Sequence, residues 1–312
     1  MSFFDMSTVY FSKDIDQAVG LFDAAGFDKL ITPGEAVALK IHFGEPGNTA
    51  YLKPSQVKAI CERVKVLEGK PFYTDCNTLY KGPRSNSKDH LKVALEHGFD
   101  LKTAGADAII AEENDFVTTE VNLKHFKKLY LGGIVSRFES LIVLTHFKGH
   151  EVTGFGGALK NIGMGFGSRL GKLRMHQDCV NCPEIQTCMK NQTIEACWFG
   201  SPTLVQEKMV EYAYGAVRGK RVGYISFIIN VSPNCDCYPY SEPPIVPDIG
   251  VLASSDPVAI DQACVDLVNQ TEGRIPSQDK FRTLWPDANW EVQLRYAEQI
   301  GLGSRKYQLV LK

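Results

Sequence analysis

The chain has 312 residues and a formal net charge of −2 at pH 7, with 44% hydrophobic and 22% charged residues. This length predicts one or two domains and allows a sizeable core. The balanced charge, without a basic run or an RNA-reading motif, argues against nucleic acid and acidic membranes as partners. The longest apolar stretch, about Val222 to Val231, is shorter than the roughly 20 residues that span a bilayer.

The nine cysteines indicate a reducing compartment. Their number is odd and the chain is long enough to fold without disulfides, so we interpret them as thiols or metal ligands. The N-terminus has no basic region followed by an apolar core, as a signal peptide would. These features predict a cytoplasmic protein, and no pattern indicates an oligomeric state.

Strand and helix patterns alternate along the first 150 residues. Short apolar runs predict buried strands at 36–43, 71–75, 108–113 and 140–147. Helical spacing occupies 54–67, 85–97 and 125–137, and the first of these helices begins with a first-turn proline. Strands separated by helices predict crossover connections and a mostly parallel sheet, that is, a Rossmann-like α/β fold with flanking helices.

The pattern changes after residue 153, where glycines become dense and a cysteine-rich segment follows. Further along, we predict a helix at 203–217, a strand at 221–231, a helix at 257–270 capped by Asp256, a helix at 290–300 and a short final strand. The chain therefore divides into three predicted parts. They are an N-terminal α/β domain with a glycine-rich turn (1–170), a short cysteine-rich insertion (171–200) and a C-terminal α/β portion that can pack into the same sheet (201–312).

Polar residues lie at the ends of three of the predicted strands. His42 lies at the end of the first strand, Asp75 ends the second, and His146 to His150 lie at the end of the fourth and directly after it. Ligands of parallel sheets gather at the carboxyl ends of the strands. Imidazole moves protons near neutral pH, and a partly desolvated lysine acts as base or nucleophile. The candidate catalytic residues are therefore His42, Asp75, His150 and Lys160, although a lone His42 or Asp75 is more often structural.

A glycine-rich turn follows His150 and leads to Lys160 and Asn161. Glycines after a strand let the backbone approach a ligand closely, and a helix N-terminus favours an anion. The spacing matches neither a dinucleotide fingerprint nor a phosphate loop. We predict a cofactor or small anionic molecule at this turn, and the alternative is a tight turn with solvated lysines. The residues predicted to bind it are Gly154, Gly156, Gly157, Lys160 and Asn161.

Four cysteines lie close together in the predicted insertion. Their spacing is Cys179-x2-Cys182-x5-Cys188-x8-Cys197, and His176 stands three residues before the first. Thiolates suit iron–sulfur clusters and zinc, and a site of three cysteines and one histidine would favour zinc. The alternatives are ordinary thiols or a redox-active pair.

A second pair of cysteines, Cys235 and Cys237, flanks Asp236 in a proline-rich loop. Alternating residues of an extended chain share one face, so both thiols could serve one metal if the loop is extended there. We regard a structural role for this pair as equally reasonable.

Three long segments resemble one family. They are KIHFGEPGN (40–48), THFKGHEVTGFGGALKNIGMG (145–165) and NCDCYPYSEPPIVPDIGVLASSDPVAIDQACVDLVN (234–269), and they are similar to domain of unknown function 362. Many members are described as uncharacterised iron–sulfur proteins, so the resemblance implies a 4Fe-4S cluster and a redox role. Many also carry a two-cluster ferredoxin module after the segment that matches 171–173. Here only the four cysteines of the insertion occupy that region, with a different spacing.

A shorter resemblance concerns the order and spacing of His150, Lys160 and His176. It is similar to a signature of the nickel-pincer lactate racemase family. By that resemblance, Lys160 would anchor a nickel-pincer cofactor, His150 would transfer a proton, and His176 would be a metal ligand.

Three functions follow as hypotheses. The first is a metal-binding, iron–sulfur or zinc protein that works with a redox partner, as an oxidoreductase if it is an enzyme. The second is a racemase-like isomerase or epimerase of a small hydroxy acid. The third is a non-catalytic protein that binds a small anion at the glycine turn.

Overall fold

A mostly parallel sheet of eight strands runs through the structure, a computed structural model that describes residues 6–112, 114–191 and 196–312. Across the sheet the strands are β12 (Tyr307–Leu311), β1 (Ser7–Ser12), β11 (Gly250–Ser254), β10 (Arg221–Ile228), β7 (Ser140–His146), β2 (Ala36–Lys40), β3 (Lys70–Asp75) and β4 (Ala108–Ile110). The described ranges also contain two small antiparallel pairs, β5 (Phe116–Glu120) with β6 (Lys128–Gly132) and β8 (Lys148–His150) with β9 (Gly154–Gly156).

The block from β10 to β4 is parallel throughout, with Lys40 of β2 beside Val143 and His146 of β7 beside Phe227. Only β11 runs antiparallel to its two neighbours within the described sheet. The predicted α/β fold with a mostly parallel sheet and flanking helices is confirmed. Strands β10, β11 and β12, all from residues 201–312, lie in the same sheet as the strands of the N-terminal half.

The described residues form ten α-helices. They are α1 (Ala18–Ala24), α2 (Pro54–Val66), α3 (Ser87–Glu96), α4 (Ala158–Phe166), α5 (Arg169–His176), α6 (Ile185–Asn191), α7 (Pro202–Val217), α8 (Pro257–Gln270), α9 (Lys280–Leu284) and α10 (Glu291–Gln299). Asp256 caps α8 as predicted, accepting hydrogen bonds from the amides of Val258 and Ala259 at 2.8 and 2.9 Å. None of the described helices combines the length and apolar character needed to cross a bilayer.

The sheet separates two hydrophobic cores. Along β7, Leu141 and Val143 enter the core shared with α4, α7 and α8, whereas Ile142 and Leu144 enter the core shared with α1 and α2. Successive side chains of a strand point to opposite faces, and a strand covered on both faces is apolar at every position. This explains why the run at 140–147 was recognisable as a strand without any alternation.

The predicted helix at 125–137 is wrong. Strand β6 and a 3-10 helix at Gly133–Arg137 occupy this segment. Leu129 and Leu131 are buried while Lys128 is exposed, which is the period of a strand. The consecutive glycines Gly132 and Gly133 also disfavour a helix. The sequence patterns did not reveal β1, β5 or β11.

The order of the strands reverses between β2 and β7. From β2 the chain continues outward to β3 and β4, then returns to β7 on the other side of β2 and continues to β10. The connections after β2 and β7 therefore lie on opposite faces of the sheet. In open α/β sheets this arrangement opens a crevice at the carboxyl ends of the two strands.

Candidate active site

A cavity of about 400 Å³ lies in this crevice. All four predicted catalytic residues, His42, Asp75, His150 and Lys160, line it. They reach it from the end of β2, the end of β3, strand β8 and helix α4. The rule that polar strand ends converge thus placed these side chains together, as expected from their positions in a parallel sheet.

The residues predicted to bind a cofactor separate into two groups. Gly157, Lys160 and Asn161 line the cavity, whereas Gly154 and Gly156 are not among its lining residues. Gly154 has a φ of 73°, and a Cβ there would lie 2.6 Å from Cβ of Trp290. This glycine is therefore required by a tight turn between β8 and β9.

A carboxyl group of the protein itself already occupies the N-terminus of α4. Asp261 of α8 accepts hydrogen bonds from the amides of Ala158 and Leu159 at 2.7 and 2.9 Å. A Cβ on Gly157 would overlap Asp261 Oδ1, so this position requires glycine. Burial raises the pKa of Asp261 to about 7 despite these two hydrogen bonds. The helix amides expected to hold an external anion are thus occupied.

Five cationic side chains line the cavity, while Asp75 and Glu151 are its lining carboxylates among the described residues. The five are Lys40, Arg84, Lys148, Lys160 and Lys172. An excess of positive charge in a largely buried space attracts a small anion strongly, because solvent screens it little. Of these side chains, the sequence patterns had directed attention only to Lys148 and Lys160.

Three of the cations have carboxylate partners. Lys40 lies 2.9 Å from Asp75 Oδ1, and Arg84 lies 2.7 Å from Glu45 and 3.7 Å from Asp75. Lys148 lies 3.4 Å from Asp236. Lys40 could have been recognised from the sequence as a candidate, since a lysine inside a buried apolar strand is unusual.

The other two cations, Lys160 and Lys172, have no carboxylate within 4.0 Å among the described residues. Lys160 Nζ donates to Cys235 Sγ at 3.5 Å. Burial alone would lower the pKa of Lys160, but the negative charge of Cys235 and Cys237 raises it above its ordinary value. Lys172 Nζ donates to the carbonyl of Gly167 at 2.7 Å, and burial lowers its pKa to about 8. The desolvated amine expected at Lys160 is therefore found at Lys172.

The imidazoles of His42 and His150 have defined tautomers. His42 Nδ1 accepts a hydrogen bond from the amide of Gly44 at 3.1 Å. His150 Nδ1 accepts from the amides of Val152 and Thr153 at 3.1 and 3.2 Å. An imidazole that accepts at Nδ1 carries its proton on Nε2, where it donates. Burial and the neighbouring Arg84 hold the pKa of His42 well below its ordinary value, so this ring is neutral.

The thiols of Cys235 and Cys237 contact each other across a turn. Tyr238 N donates to the carbonyl of Cys235 at 3.1 Å, so the segment is not the extended chain assumed from the alternation. A hydrogen bond from the Cys237 thiol, followed by the charge of Lys160 and a hydrogen bond from His150, outweighs burial and holds the pKa of Cys235 well below its ordinary value. Cys237 lines the cavity, whereas Cys235 is buried and is not among the lining residues.

Asp236 anchors this turn. Its carboxylate is fully buried and lies 2.9 Å from His146 Nδ1 and 3.4 Å from Lys148 Nζ. Its carbonyl accepts a hydrogen bond from the amide of Glu45 at 2.9 Å. The loop after β10 is thereby fixed to the ends of both β7 and β2.

The four cysteines of the insertion lie near one another. Cys179 is exposed, whereas Cys182, Cys188 and Cys197 are half-buried. Some desolvation and the proximity of the other three thiols raise the pKa of Cys188. In the described ranges, no group of three or more His, Cys, Asp or Glu side chains is arranged to hold a metal ion. Residues 192–195 of the predicted insertion lie outside the described residues.

The insertion begins and ends at the cavity. His176 and Trp198 both line it, and their ring centroids are 4.5 Å apart. Burial, with the nearby charges of His150 and Lys160, lowers the pKa of His176 to about 3. The imidazole of His176 is therefore neutral, and the four-cysteine segment adjoins the cavity.

Comparisons with known proteins identify one family, and distant solved structures are among the matches. The model of the family described as Domain of unknown function (DUF362) matches residues 37–266. No curated protein matches the chain. The chain is similar to the lactate racemase apoprotein from Thermoanaerobacterium thermosaccharolyticum, with 12% identity, a TM-score of 0.46, and coverage of 72% of this chain and 51% of that one. It is also similar to a protein from Thermotoga maritima, with 10% identity, a TM-score of 0.40, and coverage of 90% and 58%. The chain thus spans between half and three fifths of the length of these two proteins, and similarity at this level assigns no activity.

Proposed function

The chain belongs to the family described as domain of unknown function 362, and we propose that its cavity is the active site of an enzyme for a small carboxylate-bearing anion. The excess of cationic side chains over carboxylates in the cavity lining carries this proposal. The proposed reaction is a proton transfer of the isomerase type on a small hydroxy or oxo acid.

The charge of the cavity supports an anionic ligand. Lys160 and Lys172 lack carboxylate partners among the described residues, and Lys160 donates to Cys235 while Lys172 donates to the carbonyl of Gly167. Since an ammonium group has three N–H donors, each of them can still donate to a bound anion. Hydrogen bonds between ammonium groups and carboxylates are roughly twice as strong as neutral ones. A carboxylate in the cavity would offset the cost of holding these charges away from water.

Three groups around the cavity carry protons that can be transferred. They are Nε2–H of His42, Nε2–H of His150 and the thiol of Cys237, and the last two also donate hydrogen bonds to Cys235. Donors fixed in this way stabilise negative charge that develops on a substrate oxygen. His150 therefore takes the role of a hydrogen-bond donor in the proposal, since its Nδ1 is engaged by two backbone amides.

Calorimetric titration with lactate and with its neutral analogue lactamide tests the binding part. We expect lactate to bind and lactamide to bind at least about tenfold more weakly, which corresponds to about 1.4 kcal/mol. Lys160→Met should weaken lactate binding by a similar factor, whereas Lys92→Met, at an exposed site on α3, should leave it unchanged. Equal binding of lactate and lactamide would overturn the proposal.

Uptake of deuterium from D2O into carbon-bound positions of lactate or pyruvate, followed by NMR, tests the proton-transfer part.

A second candidate is a hydroxy-acid racemase with a cofactor anchored on Lys160. The specific observation is that His150, Lys160 and His176 line one cavity. The residues fit such a group, because Lys160 has an amine without a carboxylate partner in the described chain and His176 has a neutral imidazole. Lys160 would hold the group and His176 would be its metal ligand. When bound, the group would supply a hydride acceptor. Intact-mass measurement of protein from its native host tests this, and an unmodified Lys160 would contradict it.

A third candidate is an iron–sulfur or zinc site at Cys179, Cys182, Cys188 and Cys197. The proximity of these thiols to one another supports it, and all nine cysteines are free thiols, as a reducing cytoplasmic location would require. An iron–sulfur site beside the cavity would allow exchange of electrons with a redox partner. Elemental analysis and visible absorbance of anaerobically prepared protein test this, and protein free of both metals would contradict it.

A further inference from the structure

Lys172 is the most isolated ammonium group of the cavity. Its residue is only 5% exposed, and its Nζ donates to the carbonyl of Gly167 at 2.7 Å. Among the described residues, no carboxylate lies within salt-bridge distance of it. The nearest carboxylate in electrostatic terms is Asp75, which is already held by Lys40 at 2.9 Å and Arg84 at 3.7 Å.

The backbone holds Lys172 in place. Ser168 caps α5 by accepting a hydrogen bond from the amide of Gly171 at 3.1 Å. A Cβ at Gly171 would overlap the carbonyl of Tyr130 and lie 2.7 Å from the ring of Tyr212, so α5 packs closely against β6 and α7. The amine of Lys172 therefore enters the cavity from a rigid element, as a nucleophile requires.

The surroundings favour the neutral amine. Burial and the neighbouring cations Lys40 and Arg84 lower the pKa of Lys172 to about 8, although Cys76 and Asp75 oppose the shift. A lysine that is desolvated and near other cations is the typical nucleophilic lysine of carbonyl chemistry. Lys160 is its natural comparison within the same cavity, because its pKa is raised and its ammonium persists.

We propose that Lys172 is a nucleophile that forms an imine with the carbonyl carbon of a small 2-oxo acid bound in the cavity. This inference rests on the proposed function and narrows its substrate class to anions with a carbonyl group next to the carboxylate. The remaining cations of the lining would hold the carboxylate.

The step balances without any additional oxidant or reductant. The lone pair of Nζ attacks the carbonyl carbon, so a C–N bond forms and the carbonyl π electrons move to oxygen. One proton passes from nitrogen to that oxygen, and a second comes from solvent or from a donor of the lining such as the Cys237 thiol. The C–O bond then breaks, water leaves, and the nitrogen keeps its remaining proton as a protonated imine. The positive imine nitrogen increases the acidity of the adjacent C–H, and this favours the proton transfer that we propose for the site.

Reductive trapping with pyruvate and cyanoborohydride tests the inference. We expect the intact mass to rise by the mass of one pyruvate attached as a reduced imine. Peptide mapping of the wild-type protein should locate this adduct on Lys172. Lys172→Met should abolish the adduct, whereas Lys92→Met, at an exposed site on α3, should retain it. Because the map is made on wild-type protein, the assignment does not depend on the folding of a variant.

The outcomes separate this inference from the proposed function. If calorimetry detects pyruvate binding but no adduct forms, or the adduct maps to Lys160 or to exposed lysines alone, the imine at Lys172 is overturned and the anion site remains. If pyruvate and the other carboxylates all fail to bind, both proposals are overturned.

Discussion

Lys160 Nζ donates a hydrogen bond to Sγ of Cys235 at a distance of 3.5 Å. The two residues are 75 positions apart in the chain, on α4 and on the loop after β10. Each stabilises the charged form of the other, since the pKa of Lys160 is raised and that of Cys235 is lowered. This contact joins the predicted cofactor lysine to the predicted metal-binding thiols.

Removing the ammonium group should raise the pKa of Cys235. In Lys160→Met the thiolate keeps its hydrogen bond from Cys237 but loses a cation at close range, and we therefore expect its pKa to rise. The ultraviolet absorbance of the thiolate, followed as a function of pH, measures the change. Lys92→Met serves as the control, and superimposable titration curves for Lys160→Met and the wild type would refute the coupling.

The Gly157 position should not tolerate a side chain. In Gly157→Ala the new Cβ would displace Asp261 from the amides that it caps, so we expect the free energy of unfolding to fall by about 2 kcal/mol or more. Urea denaturation measures the loss. Gly82→Ala is the matched control, because its Cβ would meet its nearest neighbour at an ordinary 3.4 Å. Equal stability of the two variants would contradict the requirement.

Asp236 should be essential for stability. Asp236→Asn removes the charge that pairs with buried Lys148 and that also hydrogen bonds to His146, and breaking a buried ion pair costs about 3 to 5 kcal/mol. The exposed pair of Asp23 with Arg63 provides the comparison, and Asp23→Asn should cost less than about 1 kcal/mol. Both values come from urea denaturation at neutral pH. A loss at Asp236 as small as that at Asp23 would show that the anchoring of the turn is unimportant.

Protonation of His90 should destabilise the fold in acid. Burial and then the charge of Arg84 lower its pKa from 6.5 to about 3, with further influence from Asp75, Lys172 and Lys40. The unfolded chain therefore binds more protons than the folded one between these two pH values, so stability is retained above about pH 6.5 and falls as the pH decreases toward 3. One proton contributes a slope of about 1.4 kcal/mol per pH unit.

Denaturation midpoints measured across that pH interval test the assignment. We expect His90→Gln to have a slope smaller by about one proton than the wild type, because glutamine does not titrate. Other histidines, including His176, titrate in both proteins and cancel in the comparison. An unchanged slope would show that groups other than His90 cause the loss of stability in acid.

Much of the central sheet was predictable because its strands are covered on both faces. A strand such as β7 must be apolar at every position, and this leaves a continuous run that is easily recognised. The segment at 125–137 was mispredicted because its strand lies in a small two-stranded sheet, where apolar and polar residues mix and periodicity is ambiguous. Strands β1 and β11 became strands through pairing with partners far along the chain, which local patterns do not record.

The sequence by itself determined only some of the chemical groups that meet at the cavity, and it did not indicate Lys40, Arg84 or Lys172. Residues that end parallel strands converge, so the positions of His42, Asp75 and His150 followed from the order of strands and helices. The tertiary structure alone decided the protonation state of those groups and of their neighbours. Protonation depends on burial and on charges brought from distant parts of the chain, and these make Lys172 the lysine with the lowered pKa and Lys160 the partner of a thiolate.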